Sequence, residues 1–293
     1  MSSLLELRQT IDSARDMQSI VTVMKTLSMV SINQYQRAAG RMRTYQQVVD
    51  GSLNAVLTSG AVTIEEGPDE SAQTGLVVFG SEQGLCGRFN EVMVERAGAW
   101  LRRRDGSTPL LAIGERGATR LEAEGFRTER VLSGPGSVAG LSRLAETILL
   151  QIDDWRGRYA IERVEIIYNI EAEHGGIAAR QETLLPLERA ELERIAGRQW
   201  PSNQIPAFNG RAEDVFPALV RERFYTTLMR AGAESLAAEH ATRLSAMQGA
   251  EKNIAEKIAD LEDRYRHARQ DAITEELMDI VSAYQSVTGA GDP

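Results

Sequence analysis

Proline is missing from everything before Pro68 and, apart from the terminal Pro293, from everything after Pro217. An interior proline costs a helix about 3 kcal/mol or more, so both ends are free to form long, unbroken helices. Cysteine is reduced to Cys86, which excludes an internal disulfide and any cysteine-rich metal site and fits a reducing compartment. No run of apolar residues is long enough to suggest a membrane span. Basic residues are outnumbered, 33 against 42 acidic, and the net charge of -9 argues against a nucleic-acid binder that works by neutralising phosphates. Histidine is scarce: His174 lies in a glycine-rich stretch, and His240 and His267 lie on the C-terminal helix pattern. None has metal-ligand spacing or forms a recognisable triad, so no catalytic residue, cofactor site or metal site is assigned. The N-terminal MSSLLELRQTID has neither a basic start nor an apolar core, and reads as no signal or transit peptide. The expectation is a soluble, cytoplasmic protein of one large or two smaller domains.

What is present begins with helix periodicity. Ser3 and Glu6 form a capping box. Leu4, Leu7, Ile11 and Ala14 follow at steps of three and four, and Met17, Ile20, Met24 and Leu27 read as the same stripe carried onward. The helix extends to about Leu57, roughly 80 Å. The C-terminal stretch opens after Pro217, with Met247, Ala250, Ile254, Ile258, Leu261, Tyr265, Ala268 and Ala272 at the same spacing, and ends near Thr288 and Gly289. Two such stripes point to intramolecular antiparallel pairing; the alternative is the core face of a bundle. A domain of this size has a radius of gyration of about 15 Å, so helices this long form a rod on a globule.

Charge narrows what the rod touches. From Gln18 to Gln36 the only charged residue is Lys25, and Ile280 to Gly291 has none. A solvated helix carries charge on its outer face, so these stretches suit enclosure by another protein. The longer C-terminal helix leaves a tip that is either seated in a socket or frayed. Glu275, Glu276 and Asp279 read as a solvated face.

The middle alternates strand and helix signals. GLVVFGS, PLLAIGE, RTERVL and RVEIIYNIEA read as strands, and residues 91–104, 116–125 and 138–156 as helices. EEGPDE, residues 65–70, is the expected exit from the first helix, and residues 190–217 an irregular return to the second. The expected organisation is a helix over 1–60, a Rossmann-like α/β domain over 70–207 and a helix over 208–288 that pairs with the first. GSEQGLCG, Gly80 to Gly87, follows a strand but matches neither G-x-G-x-x-G nor a P-loop. A tight strand-to-helix turn is favoured over a phosphate cradle, and Cys86 is favoured as a buried small residue over a nucleophile.

Three segments together resemble the γ subunit of F-type ATP synthases: Ile11, Ser13, Gln18, Ile20 and Met24; GSEQGLCGRFN; and LAAEHATRLSAMQGAEKN with YRHARQDAITEELMDIV. The resemblance implies a central-stalk rotor whose coiled coil turns inside a ring of α and β subunits, with an α/β foot near the ε subunit and the c-ring. It implies a non-catalytic role without cofactor or nucleic acid, and peripheral attachment, through the complex, to the cytoplasmic side of a bacterial plasma membrane. It implies that Met24 and Lys25, with Glu239 and Arg243, fall where the shaft meets an acidic β lever and stabilises its own hairpin. Arg269, Gln270 and Thr274 fall at the β catch, and Gly84, Leu85, Cys86 and Gly87 form the foot turn. The chain departs from the pattern in keeping only Lys25 where several basic residues are usual, in Tyr265-Arg266 for Tyr-Asn, and in Gly87-Arg88 for Gly-Gly. These departures suggest a divergent branch, such as a second F-type complex. Two other classes remain as alternatives: a coiled-coil tether, and an α/β nucleotide-dependent enzyme with a helical arm.

Overall fold

A computed structural model describes residues 2–63, 67, 72–104, 108–200 and 208–288, with side chains from residue 4 to residue 283 among them. The Ser3 cap, most of EEGPDE, Pro201 to Ala207 and the Gly289 cap lie outside those limits. Helix α1 spans Ser2–Thr58 and helix α6 spans Ala212–Thr288. At 1.5 Å per residue they are about 85 and 115 Å long. Pro217 was expected to precede the second helix and instead lies within its second turn. The first four N–H groups of a helix have no internal acceptor, so a proline just beyond them removes one bond where the ladder is weakest.

The chain divides into two compact units, Met1–Leu27 with Ser245–Pro293, and Ser28–Leu244. In the first, α1 and α6 pair antiparallel, as Arg15 to Glu262 and Lys25 to Glu251 show, each at 2.6 Å. The α6 seam is the expected one, with Met247 and Leu261 buried and Ala250, Ile254, Ile258, Tyr265, Ala268 and Ala272 half-buried. The α1 seam differs from the expectation. It runs Leu4, Leu7, Ile11, Ala14, Gln18, Val21 and Lys25, a strict alternation of three and four, while Met17, Ile20 and Leu27 face outward. The seam turns polar where the outer face turns apolar, so following the apolar residues leads off the interface. Carrying the register outward from Arg15 to Leu4 brings the opposing helix to about Ile273, and every residue from Ile273 to Ala283 is exposed.

The second unit holds a five-stranded sheet. Strands β1 (Thr74–Phe79), β2 (Leu110–Ile113), β3 (Arg130–Leu132) and β4 (Arg163–Glu171) are parallel, and β5 (Ile177–Leu185) is antiparallel, in the order β3-β2-β1-β4-β5. Helices α2 (Phe89–Leu101) and α3 (Glu115–Ala123) cover one face through Met93, Ala97, Trp100 and Leu121, packed on Leu76, Val78 and Ile167. The other face, with Val77, Phe79 and Ile166, receives α4 (Val138–Tyr159) together with residues of α1 and α6 such as Tyr35, Ala39, Leu228 and Ala231. The sheet comes close to α3 because Gly80 and Gly117 meet: a Cβ on Gly80 would lie 2.6 Å from the Gly117 Cα.

Two elements were not assigned from the sequence: β5, within the alternating stretch, and α5, which falls largely in the stretch expected to be irregular. Strand β5 was missed because, apart from the buried Leu184, the face it turns to α6 carries the polar Arg180 and Glu182. Glu182 on β5 accepts from Arg230 on α6 at 2.5 Å and from the Tyr168 hydroxyl at 2.9 Å, while Glu234 takes Arg230 at 3.2 Å and Arg43 of α1 at 2.7 Å. Buried charges of this kind survive only when fully paired, and pairing this distant leaves no local hydrophobic alternation to read. Helix α5 (Arg189–Ala196) buries Leu192 and Ile195 against Val49, Leu53 and Leu57 of α1.

Candidate functional site

The GSEQGLCG turn leaves the C-terminal end of β1, the edge at which open α/β sheets bind ligands. Here its polar groups are turned to the chain's own purposes. The Glu82 carboxylate accepts from the N–H of Gly134 at 2.8 Å and from that of Glu115, the first residue of α3, at 3.4 Å. Asn90 closes the turn from the far side, accepting from Ser81 N–H at 3.0 Å and donating to Ser81 Oγ at 2.8 Å. Leu85 sits at φ 61° and Gly87 at φ 55°. The left-handed region suits the glycine and strains the leucine, whose side chain nevertheless stands 63% exposed. Cys86 points the other way, buried with Phe89 and Ala238, and burial pushes its thiol pKa up. That environment disfavours the reactive thiolate.

Arg243 holds this turn. It is 4% exposed, donates to the carbonyls of Gln83 at 3.2 Å and Gly84 at 3.3 Å, and pairs with Glu239, 5% exposed, at 2.6 Å. Burial raises the Glu239 pKa and the Arg243 charge works against that rise. His240, stacked on Tyr35 with ring centroids 5.6 Å apart, is pushed down to about 4 by burial and then by Arg243, so it is neutral near pH 7. These groups line a cavity of about 210 Å³ together with Ser31 and Ser235. Among the described residues no cluster of three or more His, Cys, Asp or Glu could hold a metal ion.

The residues singled out in the sequence thus fall into three groups. Glu239 and Arg243 come together with Gly84 and the rest of the turn, as a buried clamp. Lys25 is half-buried in the other unit and tied to Glu251 at 2.6 Å, beside a half-buried Met24. Arg269, Gln270 and Thr274 are exposed on α6, with Thr274 Oγ1 donating to the Gln270 carbonyl at 2.9 Å. Sequence reasoning missed Glu82, Glu251 and the Tyr35–His240 stack. In the last two cases one partner comes from α1 and the other from α6, beyond the reach of any spacing rule.

Solved structures share the fold. The protein aligns with a chain of the Euglena gracilis mitochondrial ATP synthase structure that comprises OSCP, F1 and the c-ring, at TM-score 0.66 and 16% identity, covering 100% of this chain and 97% of that one. It also aligns with a chain of the central stalk and c-ring structure of the Tetrahymena thermophila mitochondrial ATP synthase, at TM-score 0.56 and 21% identity, covering 79% and 99%. In sequence it is similar to the ATP synthase gamma chain of Chlorobium phaeobacteroides, 28% identical over 99% of this chain and 100% of that relative. The Bacteroides thetaiotaomicron gamma chain is also 28% identical, with 96% and 98% covered. The family model described as ATP synthase matches residues 3–287, and with that span nearly the whole chain belongs to the ATP synthase γ family.

Proposed function

We propose that this chain is the central-stalk rotor of a bacterial F-type ATP synthase, coupling ion flow through a membrane c-ring to nucleotide turnover on the β subunits of an α/β ring. The α1 and α6 segments within 1–60 and 208–288 serve as the shaft, and residues 70–207 as the foot that meets the ε subunit and the c-ring. The observation that carries this reading is the overhanging end of α6. Ile273, Leu277, Met278, Ile280 and Val281 are between 48% and 62% exposed on a helix that has outrun its partner. Apolar side chains in such a row are stabilised only by a surrounding socket. A shaft acts by making different contacts with each β state, since only a difference in interaction energy shifts a conformational equilibrium. Arg269, Gln270 and Thr274, exposed just before the tip, are suited to catch contacts with β. Lys25 ties α1 to α6 through Glu251, and the Glu239–Arg243 clamp holds the foot turn.

The chain itself carries no chemistry in this reading. Beside the β1 turn the Ser81 N–H already donates to Asn90 and the Glu115 and Gly134 N–H groups to Glu82, and Cys86 is buried with a raised pKa. Among the described residues no helix is long and apolar enough to cross a membrane, so attachment to the cytoplasmic face of the plasma membrane comes through the complex. Tagged chain co-expressed with α and β is expected to give one copy per three β subunits by native mass spectrometry. Three copies per ring, or no association, would refute the rotor. Removing residues 280–293 is expected to leave the isolated chain's melting temperature unchanged while loosening its seat in the ring.

A further inference from the structure

From Met17 to Leu27 the outer face of α1 is apolar where a solvated helix is usually polar. Met17, Ile20, Val23 and Leu27 step by three, three and four along it and are between 55% and 62% exposed. The inward positions beside them include Gln18 and Lys25. The only cation in this stretch, Lys25, is spent on Glu251 at 2.6 Å. The outer surface of α6 in the same unit is the opposite, with Lys252–Glu256, Lys257–Asp260, Arg264–Asp260 and Arg266–Asp263 pairs along it. One helix of the pair is dressed for water and the other is not.

We infer that the α1 face of Met17, Ile20, Val23 and Leu27 docks against an apolar, uncharged surface of the α/β ring, rather than against an acidic one. The inference rests on the rotor reading and adds the chemistry of the surface that the shaft meets. An acidic surface would find no free cation here and would lose the hydration of its carboxylates against four apolar side chains. A lipid surface is the wrong occupant, because interfacial helices bind with rows of Lys and Arg flanking the apolar face, and this stretch offers none. A second copy would bring stripe against stripe and put two shafts in one complex.

The test uses the complex of the chain with the α and β subunits. Val23→Lys and Leu27→Lys leave the seam untouched, so far-UV circular dichroism and the melting temperature of the free chain are expected to be unchanged. Each is expected to weaken assembly by about tenfold or more, the loss that follows when one buried aliphatic side chain is replaced by a charge. Leu27→Met is expected to stay within about threefold of the unsubstituted chain. Assembly of the unsubstituted chain is expected to change little between 0.05 and 0.5 M NaCl, since salt screens charge pairs and leaves apolar contact intact. Lysine variants that assemble equally well or more tightly, or a steep loss of affinity with salt, would overturn the apolar surface while leaving the rotor reading standing. Failure of the unsubstituted chain to assemble, or two copies per complex, would overturn both.

Discussion

Replacing Arg243 by Met removes the guanidinium that holds the foot turn and leaves Glu239 buried without its counter-charge. Methionine keeps most of the aliphatic volume, so the effect reports the lost pairing and not a cavity. Removing one partner of a buried ion pair costs about 3–5 kcal/mol. At Arg243 the loss also includes the bonds to the Gln83 and Gly84 carbonyls. With an m-value of about 2.5 kcal/mol/M for a unit of this size, the urea midpoint is expected to fall by roughly 1.5 M at pH 8. All three tryptophans, Trp100, Trp155 and Trp200, belong to the unit that contains Arg243, so their fluorescence reports its unfolding. Burial already raises the Glu239 pKa, and without Arg243 nothing opposes the rise. Native Glu239 then binds a proton before the unfolded chain does, so the variant's deficit shrinks as pH falls from 8 toward 5. Glu239→Gln combined with Arg243→Met is expected to recover at least about half of the loss. A deficit below about 1 kcal/mol at pH 8, or one that stays constant down to pH 5, would refute the clamp.

Leu85→Gly is expected to raise stability by about 1 kcal/mol in thermal melts, since it relieves a positive φ at an exposed side chain. Gly117→Ala is expected to cost about 2 kcal/mol or more in urea titrations, because its Cβ would stand 2.6 Å from the Gly80 Cα with backbone on both sides. His240 has its pKa lowered from about 6.5 to about 4, so the unfolded chain takes up the proton first and stability falls as pH drops through that window. Solvent access to the imidazole brings the loss to on the order of 1–2 kcal/mol, and His240→Gln is expected to flatten the stability profile between pH 6.5 and 4. Arg230→Met is expected to destabilise the same unit by about 2 kcal/mol, measured by tryptophan fluorescence, because it removes the nearest cation that Glu182 and Glu234 share and leaves them to Arg180 and Arg43.

The sequence by itself determined the features that depend on local pattern. The absence of proline permitted helices as long as α1 and α6, and the seam from Met247 to Ala272 was visible because each inward position there is apolar or small. The parallel strands β1, β2 and β4 were legible as apolar runs because both of their faces are covered. Tertiary structure alone decided which face of α1 turns inward. The seam passes through Gln18 and Lys25 because Glu251, on the opposing helix α6, supplies the missing charge, and this leaves the apolar Met17, Ile20 and Leu27 outside. It also decided that β5 is a strand, since Arg230 and Tyr168 satisfy its inward Glu182, and that Arg243 and Glu239 clamp the foot turn. Hydrophobic periodicity shows which side chains avoid water for lack of polar groups. It is silent where a polar side chain is buried because a distant partner satisfies it, and on α1 that second case fixed the geometry.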